Sequence, residues 1–141
     1  MKKAANEASV IQLVNSVINK AIKMGASDIH FHPRKDNIRI KYRVDGILKE
    51  GETLPKKITS AVLSRIKVMA NLDLYEKDLP QEGRCSFKNN NLNLDVRVSI
   101  MPTIRGEKAV LRLLQKEEEL LHIENLGFNE TNLKRFKKII D

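Results

Sequence analysis

Cysteine occurs once in the 141 residues, at Cys85, so no internal disulfide can form and the chain suits a reducing compartment. Its setting, "GRCSF", reads as a strand position, which favours a buried structural thiol over a nucleophile. Tryptophan is absent and aromatics make up only 4%, so the core has to be aliphatic, drawn from Ile, Leu and Val. No run approaches the roughly 18 apolar residues of a membrane span. The start, "MKKAANEASV", has neither the apolar stretch nor the small-residue cleavage site of a secretory leader. A cytosolic chain is expected. Glycine is scarce as well. None of Gly25, Gly46, Gly51, Gly83, Gly106 and Gly127 stands in G-x-x-x-x-G-K-[ST] or in G-x-G-x-x-G, so these residues hold no phosphate loop.

What is present is an ordinary globular composition, 41% hydrophobic and 31% charged, in a length that suits one domain with a real core. The net charge of +8 calls for an anionic partner: nucleic acid, acidic lipid or nucleotide phosphate. A solvated lysine-rich surface is the plainer reading of the same number. Single-strand nucleic-acid binders add aromatic platforms to their cations. With six aromatics, several at core positions, no nucleic-acid partner is expected.

The apolar period divides the chain. "ASVIQLVNSVINKAIKM" spaces Val10, Leu13, Val14, Val17, Ile18, Ala21 and Ile22 as a helix over 8–24, with Ser9 as a possible N-cap and Gly25 as the stop. "DIHFHP" and "NIRIKYRV" alternate as strands around a Lys35-Asp36-Asn37 turn, and Asp45-Gly46 predicts a hairpin into "ILKEGETL". Pro55 stands where a second helix would begin, with Ile58, Ala61, Val62, Ile66 and Met69 on its apolar face. "DLYEKDLPQEG" reads as a loop broken by Pro80 and Gly83. "RCSFKNNNLNLDVRVSIM" reads as a hairpin turning on Asn89-Asn90-Asn91, and "EKAVLRLLQ" follows "PTIRGE" as a last strand. Asn129 caps a final helix, with Phe128 placed to pack on Leu133. The order predicts a single α+β domain, one antiparallel sheet with helices packed against it. The apolar ending "KKIID" suggests a piece of something longer.

Few residues invite chemistry. His30 and His32 share a strand face but lack evident companions for a metal, since His122 is distant in sequence. Asp28, Asp36, Asp45 and Asp95 sit beside turns or on strands, where accepting hydrogen bonds is the plain role. Two arginines stand out. In "LNLDVRVSI", Arg97 shares the face of Asn93, Asp95 and Ser99, opposite Leu92, Leu94, Val96, Val98 and Ile100. In "EKAVLRLL", Arg112 lies between Val110 and Leu114, which predicts a partly buried stem. Pattern alone favours pairing of Arg112 with Asp95 or Glu107 across the sheet.

The ordered blocks "GASDIHFHP", "IRIKYRVDGIL", "LSRIKVMANLDLYEKDLPQEGR" and "LDVRVSIMPTIRGEKAVLRLL" resemble the N-terminal domain of the type II secretion and type IV pilus assembly ATPases. "ENLGFNETNLKRFKKII" resembles the segment that precedes their phosphate loop, so the likeness covers nearly the whole chain. It implies a PAS-like domain at 8–122, after a tail at 1–7, and a helical segment at 123–141 leading to an absent RecA-like catalytic domain. The implied whole is a hexameric cytoplasmic motor that hydrolyses ATP with magnesium to drive pilus or pseudopilus assembly. It would sit at the inner face of the membrane through a platform protein and other assembly partners. These 141 residues would then hold no catalytic residue, bind no metal and need no cofactor of their own.

By position, the resemblance makes Arg97 and Arg112 contacts to phosphates of nucleotide held by the catalytic domain. Arg84 in "PQEGR" is a weaker candidate, and Arg105 a further cation near the same edge. Arg39, Lys41 and Arg43 are candidates for facing a neighbouring subunit. The alternative is a ring-assembly and partner-docking module with no nucleotide contact. His32 stands where many relatives prefer an acid, and Cys85 is peculiar to this chain; neither bears on the arginines.

Overall fold

The computed structural model describes residues 2–89, 92–115 and 123–140. Helix α1 (Lys2–Lys23) leads into strands β1 (Ala26–Pro33), β2 (Asn37–Val44) and β3 (Ile47–Pro55). A 3-10 turn (Lys56–Ile58) precedes α2 (Thr59–Met69), and β4 (Gln81–Asn89), β5 (Leu92–Thr103) and β6 (Gly106–Gln115) follow. A second 3-10 turn (Ile123–Leu126) and α3 (Glu130–Ile140) complete the described chain. The six strands form one sheet in the order β3-β2-β1-β6-β5-β4, and every neighbouring pair is antiparallel. The class is α+β, as the order of periods predicts.

One sheet face is apolar, and alternation is the reason. Ile29 and Phe31 of β1, Ile38, Ile40 and Tyr42 of β2, Val96, Val98 and Ile100 of β5, and Ala109 and Leu111 of β6 are all buried. Val14, Val17, Ile18 and Ala21 of α1 and Val62, Leu63 and Ile66 of α2 join the same core. α1 and α2 pack on each other, α1 on β1 and α2 on β6. The Asn89 side-chain amide donates to Asn19 Oδ1 at 2.6 Å, tying β4 to α1.

Several boundaries differ from the period reading. α1 starts at Lys2, so Ser9 lies inside the helix and does not cap it; Lys, Ala and Glu sustain helix without an apolar stripe. Pro55 ends β3, and α2 begins only after the 3-10 turn. The α2 face is also rotated: Ala61 is exposed, whereas Leu63 and Lys67 are buried. Gly83 belongs to β4 and does not break it. Only Ile104 and Arg105 separate β5 from β6, because Pro102-Thr103 and Gly106 pair in the ladder.

Two turns follow their residues closely. Gly25 takes φ +66° after α1, and Asp45 and Gly46 take φ 51° and 78° between β2 and β3, the left-handed pair of a tight hairpin. Asn129 caps α3 through Oδ1, which accepts from Asn132 N–H at 2.9 Å. The Phe128 ring stacks on Phe136, with centroids 5.4 Å apart. α3 buries none of its residues.

Candidate functional site

Antiparallel register sets which side chains stand abreast on the uncovered sheet face. Arg84 of β4 lies opposite Arg97 of β5, and Arg97 lies opposite Arg112 of β6. Arg112 lies opposite Asp28 of β1, and Asp28 opposite Arg43 of β2. Four arginines and one carboxylate thus form a single row across five strands. The three arginines proposed from sequence are consecutive in it. Directly opposed side chains have Cβ atoms about 5 Å apart, and like charges so placed repel.

Arg84, Arg97 and Arg112 line a hollow of about 520 Å³ together with Glu82, Gly83 and Ser99. Glu82 is its one carboxylate, against three guanidiniums. Among the described residues, neither Arg84 nor Arg97 meets a protein acceptor. Both are exposed. A concave surface with unspent, fixed positive charge on a stiff sheet fits an anion presented from outside the domain.

Arg112 departs from expectation in two ways. Its side chain is 63% exposed rather than partly buried, because no layer among the described residues covers the sheet face that carries it. Its partner is Asp28, not Asp95 or Glu107: Nε donates to Asp28 Oδ1 at 3.0 Å. Glu107 instead lies 2.6 Å from Lys67 Nζ, a buried ion pair that also holds the loop after α2, since Nζ donates to the Glu76 carbonyl at 2.7 Å. Asp95 faces Leu114 and Ser86 in the ladder, one row from the arginines.

Arg105 is not near the arginine row. It lines a separate hollow of about 510 Å³ with Arg34, Lys56 and Lys67, at the β5–β6 turn. Lys41 and Arg39 share Glu50, at 2.7 and 3.9 Å, while Arg43 belongs to the arginine row. His30 and His32 lie on the open face beside Lys108, and among the described residues no three His, Cys, Asp or Glu side chains gather as a metal site. His122 lies outside the described residues. Cys85 is half-buried, and burial pushes its thiol above the ordinary value, which suits structure more than nucleophilic attack.

Asp28 accepts hydrogen bonds, the plain role its strand position predicts, but its place in the arginine row and that of Arg43 were not foreseen. Burial opposes ionisation of Asp28, yet hydrogen bonds from Ser27 and Arg112 outweigh it and hold its carboxyl below the usual range. A signal existed: Asp28 has the parity of His30 and His32, on the face away from the core, and Arg43 has the same parity in β2.

No helix among the described residues is long and apolar enough to cross a membrane. Residues 3–141 match the model of the family described as type II/IV secretion system protein. The chain is 46% identical, over its full length and 25% of the relative's, to type II secretion system protein E of Xanthomonas campestris pv. campestris. It is 44% identical, again over its full length and 25% of the relative's, to the type IV pilus assembly ATPase PilB of Myxococcus xanthus. To the type II secretion system ATPase E of Vibrio cholerae it is 42% identical, over 96% of this chain and 27% of that protein. The chain therefore spans about a quarter of the length of these curated relatives. With the match running through every strand that builds the arginine row, the chain belongs to the type II/IV secretion system protein family.

Proposed function

We propose that the chain is the non-catalytic N-terminal domain of a hexameric ATPase that powers assembly of a type IV pilus or a type II secretion pseudopilus. Its boundaries within that motor are 8–122 for the PAS-like unit and 123–141 for the segment leading to a RecA-like catalytic domain. ATP and magnesium belong to that catalytic domain. The motor works in the cytoplasm, held at the inner membrane face by platform and assembly partners.

The observation that carries the reading is the abreast placement of Arg84, Arg97 and Arg112 in one hollow, two of them without an acceptor among the described residues. Arginine keeps its charge and offers a planar fork of donors that matches phosphate oxygens. Arg97 and Arg112 supply those donors to the terminal phosphates when this domain closes on the nucleotide, and Arg84 adds charge at the edge. Donors aimed at charge that grows in the transition state lower the barrier, and arginines used this way contribute about 10³–10⁵ in rate. Hydrolysis then removes the anion that the row grips. The domain is released, which couples chemistry to motion.

Exposed apolar side chains support the second reading, a ring-assembly module. Tyr75, Leu79 and Ile104 are 91%, 62% and 99% exposed on the loop after α2 and the β5–β6 turn. One experiment separates the two. ATP turnover of the full-length protein carrying Arg97→Ala or Arg112→Ala is measured with hexamer content on the same samples. Intact rings with turnover lowered by about 10³-fold or more fit phosphate contact. Dispersed rings, or intact rings with near-normal turnover, sink it and leave assembly.

A further inference from the structure

Asp28 is the one carboxylate in the cross-strand row of four arginines, and it lies beneath them. Its side chain is 9% exposed, while those of Arg112 and Arg43 are 63% and 37% exposed. Two hydrogen-bond donors and one more distant guanidinium converge on it. Ser27 Oγ donates to Oδ2 at 2.8 Å and Arg112 Nε to Oδ1 at 3.0 Å, while Arg43 Nε lies 3.7 Å from Oδ2. Burial pushes the pKa of this carboxyl up, and the hydrogen bonds from Ser27 and Arg112 more than offset it, holding the group below its ordinary value.

The choice of nitrogen matters. Asp28 takes the Nε edge of Arg112 and leaves the two terminal nitrogens without a protein acceptor among the described residues. Those terminal nitrogens are the end of the fork, free to grip a phosphate end-on. A long side chain on an open sheet face otherwise samples many rotamers, and a fixed Nε removes most of that freedom before any ligand arrives. Arg43 is tethered from its other end, since NH1 donates to the Gly46 carbonyl at 2.9 Å. It is already beside the second carboxylate oxygen.

We infer that Asp28 is a positioning residue: it holds Arg112 by Nε with the terminal nitrogens turned to the hollow beside Arg97, and Arg43 keeps Asp28 paired when Arg112 shifts toward a phosphate. The inference rests on the reading that Arg112 meets nucleotide phosphate. Asp28 touches no reacting atom. It sets the geometry of the residue that does, and a displacement of about 1 Å at such a residue lowers rate by as much as 10²-fold.

The test uses the full-length protein, with kcat and KM for ATP, ring content and melting temperature recorded for Asp28→Asn, Arg112→Ala and the double variant. Asp28→Asn is nearly the same shape and removes the charge. In intact rings it is expected to lower kcat by roughly 10–100-fold while moving KM far less. Added to Arg112→Ala it is expected to cost nothing further, since the residue it positions is gone. Asp28→Glu should recover part of the loss. Ser27→Ala, at an exposed position, is the milder probe if Asp28→Asn loses the fold: it should lower kcat in the parent and not in Arg112→Ala. Loss of turnover in Arg112→Ala with normal turnover in Asp28→Asn and Ser27→Ala would overturn the positioning role alone. So would equal losses in both backgrounds, which belong to a general structural role. Near-normal turnover in Arg112→Ala overturns the phosphate reading, and the positioning role with it.

Discussion

Arg97 stands between Arg84 and Arg112 with no acceptor among the described residues, so at Arg97 the folded domain bears the repulsion of the row without an ion pair in return. Phosphate contact, the proposed role of the row, would give that cost a use. The cost is measurable. Arg97→Gln keeps the aliphatic stem and removes the charge, and it should raise the melting temperature of the 141-residue chain by about 1–3 °C at low salt. The gain should shrink as salt screens the row. Arg112→Gln should do the opposite and lower the melting temperature, because it strips Asp28 of its 3.0 Å donor and leaves a buried carboxylate with a more distant guanidinium. Thermal melts of the two variants side by side decide the matter. A fall for both would mean that Arg97 packs rather than waits.

At the scale of elements, β4 brings Arg84 to the row, and its position is set by a glycine. A Cβ added at Gly83 would lie 2.6 Å from the Ala70 carbonyl oxygen and 2.9 Å from Leu72 Cδ2. The first of these is backbone at the end of α2 and cannot swing aside. Gly83→Ala should therefore push the edge strand off the helix, costing about 1–3 kcal/mol in urea unfolding and weakening whatever Arg84 contributes. Unchanged stability would show that β4 has slack there. None of this closeness is legible in "PQEGR", where the glycine reads as a chain breaker. Within each strand, by contrast, alternation alone put Arg97 and Arg112 on the face away from the core. What alternation lacks is the neighbour. Asp95 and Glu107 are the carboxylates that the local β5–β6 hairpin offers Arg112, but β6 also pairs with β1, and that long-range pairing delivers Asp28 from 84 residues away. Lys67 was hidden for a related reason: a lysine in an amphipathic helix reads as surface until a partly buried glutamate is placed opposite it.

The molecule as a whole is a sheet with one face under two helices and the other left to cations, in a chain of net charge +8. That asymmetry makes its stability depend on pH through the histidines of the open face. His30 is held below the ordinary value of 6.5 by burial first, then by Lys108, and His32 by burial first, then by Arg34 and Lys108. His30 Nε2 is buried without a partner, so a proton added there would find no acceptor. The unfolded chain takes up protons at about 6.5, before the folded one does, so stability is full above that value. It is lost as pH falls below it toward the folded values. The carboxylates act in the same direction lower down. Asp28 and Glu52 titrate below their ordinary 3.8 and 4.5, despite burial, because Ser27 and Arg112 hold the first and Lys20 and Tyr42 the second. Their contribution is present above the unfolded values and lost as pH falls through the folded ones. Acidifying from about pH 7.5 to 5.5 should therefore lower the melting temperature before any carboxylate is protonated. Replacing His30 and His32 together by Gln should flatten that limb and leave the steeper loss near pH 4 in place. A limb that survives the double replacement would assign the acid sensitivity to another group that titrates in that range, since the arginines and lysines of the open face stay charged throughout it.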